Sequence, residues 1–72
     1  MSKLPPLSGD AIVKALKKTG YVPVRLRGSH LRLVCSGKRS ITVPRHPVVG
    51  RGLLRKILRD AELSPAEFIA LL

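Results

Sequence analysis

The apolar residues near the start of the chain recur at helical spacing, namely Ile12, Val13 and Leu16. Ser8 precedes them and is a residue type that commonly caps helix N-termini. Asp10 would lie in the first turn, where a negative charge interacts favourably with the helix dipole. Gly20 suits the left-handed conformation that follows many helices. The pattern predicts a first helix over residues 9–19.

Two segments in which apolar and polar residues alternate follow this helix, and such alternation is typical of strands. The segments are residues 21–27 and 30–36. Gly28 and Ser29 between them predict a two-residue hairpin turn. Pro23 has no backbone N–H to donate, so the first strand is expected at an edge of the sheet.

The two-residue turn fixes which residues of the hairpin face each other. The predicted pairs are Arg27 with His30, Leu26 with Leu31, Arg25 with Arg32, Val24 with Leu33, and Val22 with Cys35. Alternate pairs share a face of the sheet, so this register sorts the side chains into two faces. The first predicted face is apolar and consists of Val22, Val24, Leu26, Leu31, Leu33 and Cys35. The second predicted face is basic and consists of Arg25, Arg27, His30 and Arg32.

A third strand is predicted where Ile41 and Val43 alternate with polar residues. A three-residue loop at residues 37–39 would pair Ile41 with Cys35 and Val43 with Leu33. That register keeps the apolar side chains together, whereas a two-residue loop would turn them outward. Cys35 is then expected to act as a small buried hydrophobic residue.

The sheet is expected to end at Pro44, before a loop over residues 45–50. Apolar residues then return at helical spacing over residues 52–61 and predict a second helix. Residues 64–67 (SPAE) have the sequence of a capping box with proline at the first helical position, which predicts a short third helix. This order predicts one α+β domain, residues 1–72, in which the helices cover one face of a three-stranded antiparallel sheet.

The net charge of the chain indicates what the uncovered face of this sheet would bind. The 72-residue chain has 14 Lys and Arg residues against 4 Asp and Glu residues, a net charge of +10. Such a charge repels itself and stabilises nothing alone, so a polyanion such as RNA, or an acidic protein, is the expected partner. The basic face of the sheet is where that partner would bind.

The composition predicts neither metal nor cofactor, and no membrane contact. One Cys and two His at scattered positions make neither a disulfide nor a zinc site. The N-terminal residues lack the apolar core of a signal peptide, and no apolar run approaches the length of about 20 residues that spans a bilayer. A cytoplasmic location is therefore expected.

His30 is the residue of the basic face with catalytic potential, because a histidine side chain accepts and donates protons near neutral pH. RNA carries its own nucleophile, the 2′-hydroxyl beside each phosphate, so a catalyst must supply proton transfer and charge stabilisation. The other interpretation is a surface histidine. Arg25 and Arg32 face each other despite their like charges. Either a bound phosphate compensates this repulsion, or both side chains extend into solvent.

Residues 27–30, Arg-Gly-Ser-His at the start of a strand, resemble the Gly-Ser-His motif of the HicA family of toxins from toxin–antitoxin systems. The Gly-Tyr-Val sequence of residues 20–22 resembles the helix exit in that family. Residues 52–58 (GLLRKIL) resemble its G-x-L-R-x-I-L helix, and residues 64–72 resemble an extension found in part of the family. These segments occur in the family's order over nearly the whole chain.

This resemblance implies a double-stranded-RNA-binding-like fold and metal-independent cleavage of messenger RNA, with His30 as the catalytic residue. It also implies a partner antitoxin of the HicB type that covers the active face. The motif and the basic face together predict the RNA-binding residues Arg25, Arg27, Gly28, Ser29 and Arg32. Gly28 would supply the turn conformation. Ser29 would either bind a phosphate or fill the turn.

The chain also departs from the family. Glu62 stands where the family commonly has glycine, and residues 44–47 are not a close match. His46 in that segment is either a second acid or base or an uninvolved loop residue. Tyr21 either stacks a base or packs in the core, and the arginines of the second helix contact RNA, the antitoxin or water. The expected function is a toxin that acts as an mRNA endoribonuclease; the alternatives are a non-catalytic RNA-binding module and a small ribonucleoprotein component.

Overall fold

The computed structural model describes residues 4–72, and the first three residues of the predicted domain lie outside the described residues. The elements are α1 (Gly9–Lys17), β1 (Val22–Arg27), β2 (His30–Val34), β3 (Ile41–Pro44), α2 (Arg51–Asp60) and α3 (Pro65–Ile69). The strands form one antiparallel sheet in the order β1-β2-β3. This α-β-β-β-α-α fold, similar to a double-stranded-RNA-binding domain, is the predicted one. Within residues 4–72 no helix is long and apolar enough to cross a bilayer.

The predicted caps lie at the starts of α1 and α3, whereas α1 ends early and α2 runs over Arg51–Asp60, one residue earlier than predicted at each end. The Ser8 hydroxyl accepts a hydrogen bond from a backbone N–H of the first turn of α1. This helix ends at Lys17, two residues before its predicted end, and Gly20 follows with the left-handed φ of 104°. Ser64 and Glu67 form the predicted reciprocal capping box at the start of α3.

The predicted hairpin register is confirmed next to the turn and wrong at the far end. The three pairs nearest the turn match the prediction. Beyond them β1 bulges at Val24, so that Pro23 faces Leu33. The predicted pairs of Val24 with Leu33 and of Val22 with Cys35 are therefore wrong, and Val22 lies on the open face. Pro23 has no N–H for the ladder, which favours a break in the pairing at this point.

The predicted register of β3 is wrong by two residues. Ile41 faces Leu33 rather than Cys35, and Val43 faces Leu31 rather than Leu33. The loop before β3 therefore spans residues 35–40 instead of three residues. A shift of two keeps the faces of a strand, so Ile41 and Val43 still lie in the core.

Contacts from outside the sheet hold this longer loop. The Tyr21 hydroxyl donates a hydrogen bond to the Arg39 carbonyl (2.9 Å), and the Lys38 ammonium group donates to the Ala61 carbonyl (3.3 Å). Gly37 adopts a left-handed φ of 80°. Tyr21 is 2% exposed and therefore packs in the core, and this burial raises the pKa of its hydroxyl.

The hydrophobic core lies between the helices and the inner face of the sheet. It consists of Leu4, Ile12, Val13, Ala15, Leu16, Tyr21, Leu33, Ile41, Val43, Val49, Leu54, Ile57, Leu58, Ala61 and Phe68. Cys35 and Leu31 are partly buried against it. The helices pack against β3, so the opposite edge strand is left uncovered. Val24 and Leu26 of β1, predicted to face the core, are consequently 55% and 52% exposed.

Candidate active site

The structure gathers the predicted side chains of the sheet on its open face. Arg27 faces His30, and Arg25 faces Arg32 across the hairpin. All four residues are exposed. Together with Thr42 of β3 they line a shallow recess of about 130 Å³. The basic face is therefore a concave site that contains His30.

Gly28 and Ser29 form the turn that places His30 at the start of β2. Gly28 has a φ of 59° and Ser29 does not have a positive φ, which is the pattern of a type II′ turn. A Cβ atom on Gly28 would meet no atom within 4 Å, so conformation rather than space favours glycine here. The Ser29 carbonyl accepts a hydrogen bond from the Arg45 N–H (2.7 Å). The turn thereby holds the chain that leaves β3 against the hairpin.

A second histidine lies beside His30. The ring centroids of His30 and His46 are 6.2 Å apart, and their planes are inclined by 72°. The Ser29 hydroxyl lies 3.5 Å from Nε2 of His46, at the outer limit of a hydrogen bond. The sequence left His46 as either a second acid or base or an uninvolved loop residue. The structure brings its exposed ring to the predicted site.

The loop that carries His46 is fixed to the N-terminal end of α1. The Gly9 N–H donates a hydrogen bond to the His46 carbonyl (2.9 Å). Arg45 Nε donates to the carboxylate of Asp10 at 2.8 Å. Gly9 is buried where a Cβ atom would overlap the carbonyl oxygen of Pro44, so the helix approaches the end of β3 as closely as glycine permits. The position of His46 therefore depends on α1 as well as on the sheet.

The Asp10–Arg45 ion pair operates throughout the neutral pH range. The hydrogen bond from Arg45 lowers the pKa of the Asp10 carboxyl, against a smaller opposing effect of desolvation. Because the folded-state pKa lies below the unfolded value, the stabilisation is present above the unfolded pKa and is lost as pH falls through the folded one. Both side chains are largely exposed, so the pair contributes little to stability and acts mainly on the position of the loop.

Arg32 is held towards β3 and away from Arg25. Its Nη2 atom donates a hydrogen bond to the hydroxyl of Ser40 at 2.8 Å. Ser40 immediately precedes β3, whereas Arg25 lies on β1. This contact relieves part of the like-charge repulsion across the hairpin, and it leaves further N–H donors of the guanidinium for a ligand.

A groove of about 380 Å³ leads from His30 between β3 and α2, and the sequence did not predict it. Its walls combine apolar and polar side chains: His30, Ser40, Ile41, Thr42, Pro44, Leu53, Lys56, Ile57 and Asp60. Lys56 and Asp60 form an ion pair of 2.9 Å, which lowers the pKa of the Asp60 carboxyl. The exposed Leu53, set among the arginines of α2, is the one sequence signal that could have pointed to this groove.

The side chains of residues 4–72 include no cluster of three His, Cys, Asp or Glu residues that could hold a metal ion. What the described site offers is two imidazoles, three guanidinium groups and two hydroxyls, at Ser29 and Thr42. Such a set can bind an anion of the size of a phosphate and exchange protons with it.

The chain is similar to a known protein family. A family model described as the HicA toxin of bacterial toxin–antitoxin systems matches residues 9–63. This range begins with α1 and ends after α2, so it contains the whole sheet, both histidines and the arginines of the recess. A comparison with curated proteins found no match.

Proposed function

The chain belongs to the HicA toxin family of bacterial toxin–antitoxin systems, and we propose that it is an endoribonuclease that cleaves messenger RNA in the cytoplasm without a metal ion. The observation that carries the proposal is the position of His30 inside the arginine-lined recess of the open face. An imidazole surrounded by guanidinium groups can transfer protons at a phosphate whose charge those groups neutralise. A surface that only bound RNA would gain little from an imidazole in a row of guanidinium groups.

The proposed reaction uses the 2′-hydroxyl of the RNA as nucleophile. His30 takes part in moving the proton of the 2′-hydroxyl to the departing 5′-oxygen, while the 2′-oxygen forms its bond to phosphorus and the bond from phosphorus to the 5′-oxygen breaks. Arg25, Arg27 and Arg32 neutralise the charge that develops on the non-bridging oxygens. The products are a 2′,3′-cyclic phosphate and a 5′-hydroxyl end.

The turn beside the recess is proposed to seat the RNA backbone. Gly28 and Ser29 are both exposed, and Gly28 presents no side chain to an approaching phosphate. The Ser29 hydroxyl lies at the rim of the site, next to His46, where it can donate a hydrogen bond to a phosphate oxygen. Guanidinium groups bind phosphate with two parallel hydrogen bonds, which orients the chain of the RNA across the sheet.

The proposed inhibitor is an antitoxin of the HicB type with an acidic surface. The net charge of +10 favours an acidic partner, and three of the arginines that contribute to it line the exposed recess. An antitoxin bound over the open face would exclude RNA from His30 and so prevent cleavage.

Cleavage of a long single-stranded RNA by the purified protein in EDTA, beside the variant His30→Ala, tests the proposal. We expect the parent to cut and His30→Ala to be slower by at least about 10²-fold, the usual contribution of one acid–base group. Binding of the same RNA by His30→Ala should stay close to that of the parent, because the arginines remain. End-group analysis should find the cyclic phosphate.

Arg59→Ala is the control, since it also truncates an exposed side chain but lies on α2 away from the recess. It should cut like the parent. Equal cleavage by the parent and His30→Ala would overturn the role of His30. Binding by both proteins without cleavage by either would leave a binding module, which is the alternative that the sequence raised.

A further inference from the structure

Cleavage of RNA through its 2′-hydroxyl requires two proton transfers, and the described site holds two imidazoles. One proton leaves the attacking 2′-oxygen, and another reaches the departing 5′-oxygen. The two oxygens lie roughly in line on opposite sides of the phosphorus atom. A single side chain at one side of the phosphate therefore serves one of the two transfers well and the other poorly.

We propose that His46 is a second catalytic residue, which shares the two proton transfers with His30; this inference rests on the proposed ribonuclease function. The ring centroids are 6.2 Å apart. With a reach of about 2.6–3.2 Å for each hydrogen bond, the two rings can each contact a different ester oxygen of one phosphodiester. Both rings are exposed, so the substrate can enter between them and the recess.

Contacts to its backbone, rather than packing of its ring, hold His46 in place. The carbonyl of His46 accepts the N–H of Gly9, and the preceding Arg45 is held by Asp10 and by the Ser29 carbonyl. The ring itself meets only polar and aromatic neighbours in these contacts, the Ser29 hydroxyl and the His30 ring. These three contacts fix the backbone at residues 45 and 46, from which the His46 ring reaches the His30 ring.

The proposed step balances in protons and electrons. The neutral imidazole of one histidine takes the proton of the 2′-hydroxyl while the 2′-oxygen forms its bond to phosphorus. The imidazolium of the other histidine gives its proton to the 5′-oxygen as the bond between phosphorus and that oxygen breaks. The two histidines end with exchanged protonation states, which proton exchange with water restores. No oxidant, reductant or metal takes part.

The charged groups that face the two rings come from each neighbouring element. Arg27 lies opposite His30 on β1, and Arg45 directly precedes His46 in the loop after β3. Asp10 of α1 pairs with Arg45, and Lys56 and Asp60 of α2 line the groove that begins at His30. Arg45 and Lys56 are each held in an ion pair, and the arginines that line the recess with His30 come from β1 and β2.

The test compares His46→Ala and His46→Gln with the parent on RNA, in kcat, KM and the pH dependence of kcat. We expect kcat to fall by about 10²-fold or more in both variants while KM changes little. Glutamine can keep the contact with Ser29 but cannot transfer protons, so its loss of rate separates chemistry from positioning. The parent should show a bell-shaped profile, and each histidine variant should lose one limb of it. Val48→Ala, an exposed position in the same loop, should match the parent.

A substrate with sulfur in place of the 5′-bridging oxygen assigns the two roles. A thiolate leaves without receiving a proton, because a thiol ionises far more readily than an alcohol. One of the two variants, His30→Ala or His46→Ala, should therefore regain most of its rate on this substrate, and the other should not.

Three results would overturn the inference while leaving the ribonuclease in place. They are parent-like cleavage by His46→Ala, a rise in KM with both limbs of the profile retained, and rescue of neither or both variants by the sulfur substrate. A parent that does not cut RNA would instead overturn the proposed function, and the inference with it.

Discussion

At the scale of single residues, the two long helices end with the same hydrogen bonds and different residues. After α1 the N–H of Tyr21 reaches back to the Leu16 carbonyl, and after α2 the N–H of Leu63 reaches back to the Leu58 carbonyl. Both are Schellman motifs, which need one left-handed residue. The left-handed residue is glycine after α1, but after α2 it is Glu62, with a φ of 60°. Glu62 is the one non-glycine residue with positive φ between residues 4 and 72.

We therefore expect Glu62→Gly to stabilise the protein. A non-glycine residue in the left-handed region destabilises the folded state by about 1–2 kcal/mol, and glycine removes this strain. Part of the gain is offset because glycine also increases the conformational entropy of the unfolded chain. The free energy of unfolding in urea should rise by about 0.5–1 kcal/mol. Glu62→Gln removes the charge and keeps the strain, so it should not reproduce the gain. A gain in both variants would trace the effect to charge.

At the scale of elements, the contact between α1 and the end of β3 links the fold to the site. Gly9 begins the helix and packs against the Pro44 carbonyl, which is where the chain turns away from the sheet towards His46. A substitution that pushes these two elements apart would therefore disturb both the core and the loop.

Gly9→Ala tests this contact. Its Cβ atom would overlap the Pro44 carbonyl oxygen, so we expect a loss of about 1–3 kcal/mol in the free energy of unfolding, as for overpacked cores. Gly52→Ala is the matched control, because its Cβ atom in α2 would meet nothing within 4 Å. That variant should gain up to about 1 kcal/mol from helix propensity. Denaturation in urea measures both, and equal stabilities would contradict the close approach.

Some elements can be predicted from the local sequence and others cannot. The caps at Ser8 and Ser64 and the turn at Gly28 depend on a few adjacent residues, and all three are predictable. The longer loop before β3 is instead held by hydrogen bonds of Tyr21 and Lys38, whose partners are 18 and 23 residues away in the chain. Local patterns carry no information on such contacts, so the predicted loop is too short.

The candidate site divides in the same way. The two-residue turn places His30 opposite Arg27 and Arg25 opposite Arg32, so the basic face follows from the sequence. The approach of His46 depends instead on hydrogen bonds from α1, which no periodicity along the chain records. The groove between β3 and α2 is a property of tertiary packing, and Leu53 among the arginines of α2 is its one trace in the sequence.

At the scale of the whole molecule, charge is distributed over both the helices and the sheet, but the recess is proposed to bind RNA. The net charge of +10 attracts any polyanion, so affinity alone does not identify the binding face. The dependence of affinity on salt does, because each phosphate contact that is lost removes a fixed part of the slope.

We expect Arg25→Ala to lower the slope of log K against log salt by about 0.7 in magnitude for single-stranded RNA. Arg59→Ala, which removes the same charge from the helical side, should keep the parental slope. Titrations at several salt concentrations measure both. Equal reductions would show that RNA wraps the molecule instead of lying across the sheet.

The bulge in β1 also affects whether copies of the protein can associate through the edge of the sheet. An outer strand with exposed Val24 and Leu26 offers a template on which further strands could add and polymerise. Pro23 lacks an N–H, Val24 stands outside the ladder, and Arg25 and Arg27 bring like charges to any second copy. The irregularity that displaced the predicted register thus interrupts the edge along which the sheet would otherwise grow.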